Sequence, residues 1–143
     1  MTEHEMLSSL PSGVLNDTNK GVLDYIKDLS AHDGVASELI NALRPLGDVQ
    51  VYCPDPASFR YVVAATNNII FGIAHGMDTV AFRLDPVTRE KALLSGCKEH
   101  PGLAGDWVWV NPQRGDWPAV DFKFWARKSY VYIRESSRTI NTG

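Results

Sequence analysis

Long apolar runs are missing from this chain. The longest, residues 61–65 and 69–74, fall far short of the roughly 20 residues that a membrane-crossing helix needs. Cysteine is scarce: Cys53 and Cys97 stand alone, 44 positions apart. Two thiols without a secretory signal read as reduced residues rather than as a disulfide framework of the kind that holds small secreted domains together. The first six residues carry Glu3 and Glu5 where a secretory signal has basic residues and an apolar run. Reduced cysteines and a cytoplasmic location are therefore expected. A glycine-rich phosphate loop is absent too. Gly102-Leu103-Ala104-Gly105 lacks the P-loop lysine, and no G-x-G-x-x-G occurs. There is no internal repeat and no low-complexity tract.

What is present suits one globular core. The chain has 143 residues, 44% of them hydrophobic and 22% charged. A chain of that length buries roughly two-thirds of its unfolded surface. The expected organisation is a lead-in over residues 1–16, a single domain over 17–138 and a tail over 139–143. The net charge of −3 is spread unevenly. Residues 1–60 carry nine acids and four bases, whereas residues 123–143 set Lys123, Arg127, Lys128, Arg134 and Arg138 against Glu135 alone. An acidic body argues against broad nucleic-acid binding, and no membrane partner is expected. The basic terminal segment leaves a local patch for nucleic acid, or a solvated helix face.

Periodicity predicts the elements. Val22, Leu23, Ile26 and Leu29 recur at helical spacing over residues 19–31, with Asp17 or Thr18 as cap. Val35, Leu39, Ile40 and Leu43 mark a second helix, ended by Pro45 and Gly47. Strands are expected over residues 48–52, 59–66, 69–74 and 79–84, linked by turns at Cys53-Pro54-Asp55-Pro56, Asn67-Asn68 and His75-Gly76-Met77-Asp78. Asp85-Pro86 starts a helix that runs to about Ser95, because a capping carboxylate precedes proline at the first helical position. Residues 97–105 read as a loop and residues 107–110 as a strand. Residues 120–125 alternate like a strand, yet Phe122, Trp125, Ala126, Ser129, Tyr130 and Ile133 share one helical face. The longer match favours a C-terminal helix starting near Pro118 or Ala119. The fold class that follows is α+β: an antiparallel sheet of about five strands, helices packed on one face, two N-terminal helices and one C-terminal helix.

From residue 69 to residue 134 the order of features resembles the MmcQ/YjbR-like proteins. The strand Val80-Ala81-Phe82-Arg83-Leu84 leads into Asp85-Pro86 and a short helix. A Gly- and Pro-containing loop, the 107–110 strand, Trp117-Pro118-Ala119-Val120 and a final helix carrying Ser129-Tyr130 follow. The resemblance implies a frataxin-like sandwich without a known catalytic centre, with DNA binding sometimes suggested.

Four constellations carry candidate chemistry. Asp106, Asp121 and Lys123 have the Asp…Asp-x-Lys spacing of metal-dependent nucleases, in which carboxylates hold a hard cation and the lysine positions water. The same residues also read as ordinary surface charges. Cys97 and His100 form half of a zinc site, and its other half is not evident. His75 and Asp78 sit three apart at a hairpin tip, where turn chemistry explains them equally well. Trp107, Trp109, Trp117 and Trp125, with Phe122, Phe124 and Tyr130, make an aromatic band. The strand within it is apolar on both faces, so it is either covered on both sides or exposes one face to a partner.

The leading expectation is a non-catalytic binding or interaction domain, dimeric or partner-bound through its aromatic face, with no cofactor and no metal. The alternatives are a metal-dependent phosphodiesterase using Asp106, Asp121 and Lys123, and a small-ligand pocket lined by Trp107, Trp109 and Tyr130.

Overall fold

A computed structural model of the chain describes residues 6–7, 12–27, 29–31, 33–53, 61–77, 79–103, 105–111 and 122–142. Among these residues the order is β1 (Met6–Leu7), a 3-10 turn (Ser12–Val14), α1 (Asp17–Ile26), α2 (Asp33–Leu43), β2 (Gln50–Tyr52), β3 (Val62–Thr66), β4 (Ile69–His75), β5 (Thr79–Arg83), α3 (Pro86–Leu94), β6 (Lys98–Glu99), β7 (Trp107–Val110) and α4 (Phe122–Thr142). The strands form one sheet in the order β1-β2-β3-β4-β5-β7-β6. Six of them run antiparallel to their neighbours, and the two-residue β1 joins the edge of β2 in parallel. The α+β class stands. The sheet has six antiparallel strands where about five were expected, because the loop over residues 97–105 contributes β6.

Local chemistry sets the element ends. Asn16, rather than Asp17 or Thr18, caps α1: its side chain accepts a bond from the Asn19 N–H. Asp85 caps α3 through the Thr88 N–H, with Pro86 in the first turn. Asn67 and Asn68 both hold positive φ, 51° and 64°, as a two-residue hairpin turn between β3 and β4 requires. Residues 12–16, expected as lead-in, belong to the domain: Val14 is buried in its core. Among the described residues the C-terminal segment is helical over Phe122–Thr142, through the expected tail; the expected start near Pro118 or Ala119 lies outside them. No helix among the described residues is long and apolar enough to cross a membrane.

Both faces of the sheet are covered. Alternate residues of β3 point to opposite sides: Val62 and Ala64 join one apolar cluster, Val63 and Ala65 the other. The first cluster takes Val35, Leu39 and Leu43 of α2, Ala92 of α3, and Trp125, Ala126 and Ile133 of α4. The second takes Val14 with Val22 and Ile26 of α1. The expectation of helices on one face therefore holds for α2, α3 and α4, and α1 lies on the other. Central strands apolar on both sides demand that second cover.

A β-bulge interrupts β4. Ala64 pairs with Gly72 and Ala65 with Ile70, so Phe71 is the extra residue. Its carbonyl accepts a bond from the Ser129 hydroxyl of α4 at 3.0 Å, and the same hydroxyl bonds the Arg83 carbonyl of β5. Tyr130 donates its hydroxyl to the Gly47 carbonyl at 2.7 Å. Arg134 reaches Thr66 Oγ1 at 3.1 Å and Asp48 at 3.6 Å. Two successive turns of α4 are thus anchored to the sheet and to the segment that follows α2.

Candidate functional site

α2 and α4 lie side by side on the same sheet face, and a groove of about 1090 Å³ opens between the end of α2 and the first turns of α4. Ala42, Leu46, Phe124, Tyr130 and Val131 give it apolar walls, and Arg44, Lys123 and Arg127 stand along it exposed. Phe124 is 46% exposed and Val131 38%. A smaller cleft of about 520 Å³ lies on the other side of Phe124, between α3 and α4, and carries Lys91, Lys128 and the exposed Leu94. The Lys128 ammonium sits 5.4 Å from the Phe124 ring centre. No carboxylate lines either cleft among the described residues. Helical spacing explains the arrangement. Trp125, Ala126, Ser129 and Ile133 turn inward, which leaves 123, 124, 127, 128 and 131 on the outer face.

The nuclease triplet is not assembled by the described residues. Asp121 lies outside them. Asp106 lines a separate cleft of about 460 Å³ with Arg89 and Glu90, whereas Lys123 lines the α2–α4 groove. Asp106 acts instead on Arg83 and Tyr132. Burial lowers the Arg83 pKa and the Asp106 charge opposes that shift. Burial, with Asp106 adding to it, raises that of the Tyr132 hydroxyl. The Arg83 guanidinium donates from Nε to the Ile70 carbonyl at 3.1 Å and stacks over Trp107 at 5.1 Å.

The aromatic band divides between core and surface. Trp107 and Trp125 are buried in opposite clusters, Trp109 is half-buried, and Trp117 lies outside the described residues. Trp107 and Trp109 face the α1 side of the sheet, and Tyr130 faces the α4 side, so these three do not line one pocket. Of the described side chains of the band, Phe124 and Tyr130 reach the groove.

Cys97 and His100 point to different places. Cys97 is buried among apolar neighbours, and burial pushes its thiol up to about 12. His100 meets His75 instead, Nε2 to Nε2 at 2.9 Å, with both rings buried. The structure thus joins one histidine from each of two sequence motifs. Asp78, the other residue of the hairpin-tip motif, lies outside the described residues. Tyr25 of α1 packs edge-on against both rings, at 5.6 and 5.2 Å. Among the described residues no three His, Cys, Asp or Glu side chains gather as a metal site would need.

Sequence reasoning noted the basic segment and missed the groove. Arg44 lies about 80 positions before Arg127, and only the packing of α2 on α4 brings them to one cleft. In comparison with known proteins, the chain matches no family model, no curated protein and no solved structure.

Proposed function

We propose that this domain is a non-catalytic interaction module that holds an acidic, amphipathic segment of a protein partner in the α2–α4 groove. The observation that carries the reading is the combination of exposed Arg44, Lys123 and Arg127 with exposed Phe124 and Val131, in a chain whose net charge is −3. Clustered cations in an otherwise acidic protein cost self-repulsion, which a carboxylate-bearing partner relieves. The apolar walls favour a peptide over a phosphate backbone, which has no use for Phe124 and Val131. The recess between two helices favours a helix seated in a groove over a flat lipid surface. Pairing of this face with its own copy sets Arg44, Lys123 and Arg127 against like charges, which disfavours it as a symmetric dimer contact.

The test is fluorescence anisotropy with a labelled synthetic helix of alternating leucine and glutamate faces. Binding should weaken as salt rises. Arg44→Glu with Arg127→Glu should abolish it. Phe124→Ala should weaken it about tenfold, the equivalent of about 1.4 kcal/mol of lost apolar burial. Unchanged binding in these variants refutes the site. Equal or tighter binding of single-stranded DNA or anionic vesicles at the same residues refutes the partner class.

A further inference from the structure

We propose that the His75–His100 pair is a proton-operated latch: uptake of one proton by the pair releases the turn over residues 100–103 from α1. The bonding pattern carries this. His100 Nδ1 accepts the backbone N–H of Gly102 at 3.0 Å and of Leu103 at 3.1 Å. That nitrogen is therefore unprotonated, and the neutral ring carries its hydrogen on Nε2. Nε2–H then donates to His75 Nε2 at 2.9 Å, which places the His75 proton on Nδ1.

Every position that faces a neighbour within this pattern is filled, so an added proton has no place in the closed state. On His100 Nδ1 it opposes two backbone donors. On His75 Nε2 it opposes the His100 N–H. Either way one set of bonds must open. The turn is what yields, since His75 is held within β4 between two paired strands. The turn closes over α1: Leu103 is buried in the α1-side cluster, and Gly102 lies so near Tyr25 that a Cβ there would run into the ring.

Neighbouring elements face the pair with polar and aromatic groups. α1 presents Tyr25, β5 presents Thr79 opposite His75, and β7 presents the Trp107 carbonyl to the His100 N–H. Glu99 is exposed, with its carboxylate on Arg89 at 2.8 Å. Burial and the neighbouring His75 push His100 down to about 4. The same pattern argues against a metal at the pair, because a metal on Nε2 would displace the hydrogen that the Nδ1 bonds place there.

The experiment is ¹⁵N NMR of the histidine rings with amide exchange of the whole chain from pH 7 to pH 4. At pH 7, His100 should be the Nε2–H form and His75 the Nδ1–H form, and an excess of zinc should leave both signals in place. Protection of the Gly102 and Leu103 amides, corrected for intrinsic rates, should fall about tenfold per pH unit between 6.5 and about 4 while the β3–β4 amides stay protected. His100→Asn, whose side-chain oxygen accepts the same two amides, should keep protection and lose the pH dependence. An Nδ1–H ring at His100, a zinc-induced shift, protection independent of pH, or simultaneous loss across the sheet overturns the latch. The wild-type ring assignment decides the matter even where the asparagine variant fails to fold.

Discussion

Replacing Ser129 with alanine removes one buried hydroxyl from the contact between α4 and the sheet. Ser129 is fully buried, and its hydroxyl serves the Phe71 and Arg83 carbonyls. The Phe71 carbonyl needs that donor because Phe71 is the bulge residue and has no partner across the β3–β4 ladder. One proton shared between two acceptors counts as about one strong bond, and the carbonyls are left in an apolar interior. That loss costs about 2 kcal/mol. Alanine returns about 0.5 kcal/mol through better helix propensity. The net destabilisation is about 1.5 kcal/mol, or about 5 °C in Tm for a chain of this size. Urea denaturation followed by tryptophan fluorescence measures it, with the slope of the transition unchanged. Ser95→Ala is the control, since its exposed hydroxyl bonds the Lys91 carbonyl at 2.9 Å and should cost less than about 0.5 kcal/mol. A Ser129→Ala variant no less stable than this control refutes the anchoring role.

Two further outcomes follow from buried groups. Asn19 is fully buried, donates to the Val14 and Asn68 carbonyls at 2.7 and 2.8 Å, and accepts from the Ile70 N–H at 2.9 Å. Asn19→Asp sets a carboxylate against two carbonyls and should cost about 3 kcal/mol at pH 7. Because the buried acid has a raised pKa in the folded state, the loss should shrink as pH falls to 5. Urea titrations at both values check the sign, and a penalty that grows with acid sinks the idea. Cys97, with its thiol held up near 12, should resist a disulfide-exchange reagent at pH 8 until the chain unfolds. Rapid labelling of the native protein at Cys97 contradicts the burial.

Where chemistry is local, the sequence sufficed. Asp85-Pro86 started α3 because a carboxylate and a proline act on the residues beside them. Asn67-Asn68 marked the β3–β4 turn because asparagine tolerates positive φ on its own. The 3.6-residue spacing of Trp125, Ala126, Ser129 and Ile133 foretold the inner face of α4. The cap of α1 was misplaced by one residue, since Asn16, Asp17 and Thr18 are all competent and only the bond to the Asn19 N–H separates them.

Tertiary structure decided what depends on distance. Whether Trp107 and Trp109 were core or contact surface rested on which helix covers their face, and α1, about 85 positions earlier, shares that face. His75 and His100 belonged to two unrelated short motifs until the sheet order β4-β5-β7-β6 folded the residues after β6 back toward the end of β4. The groove likewise needs Arg44 from one helix and Arg127 from another. A sequence records periodicity and nearest-neighbour chemistry, so it determined the longer elements and the inward face of the amphipathic helices, and missed the short edge strands β1 and β6, which exist only through pairing. Which elements meet is settled by burying apolar faces against one another, and both the latch and the groove lie where such faces meet.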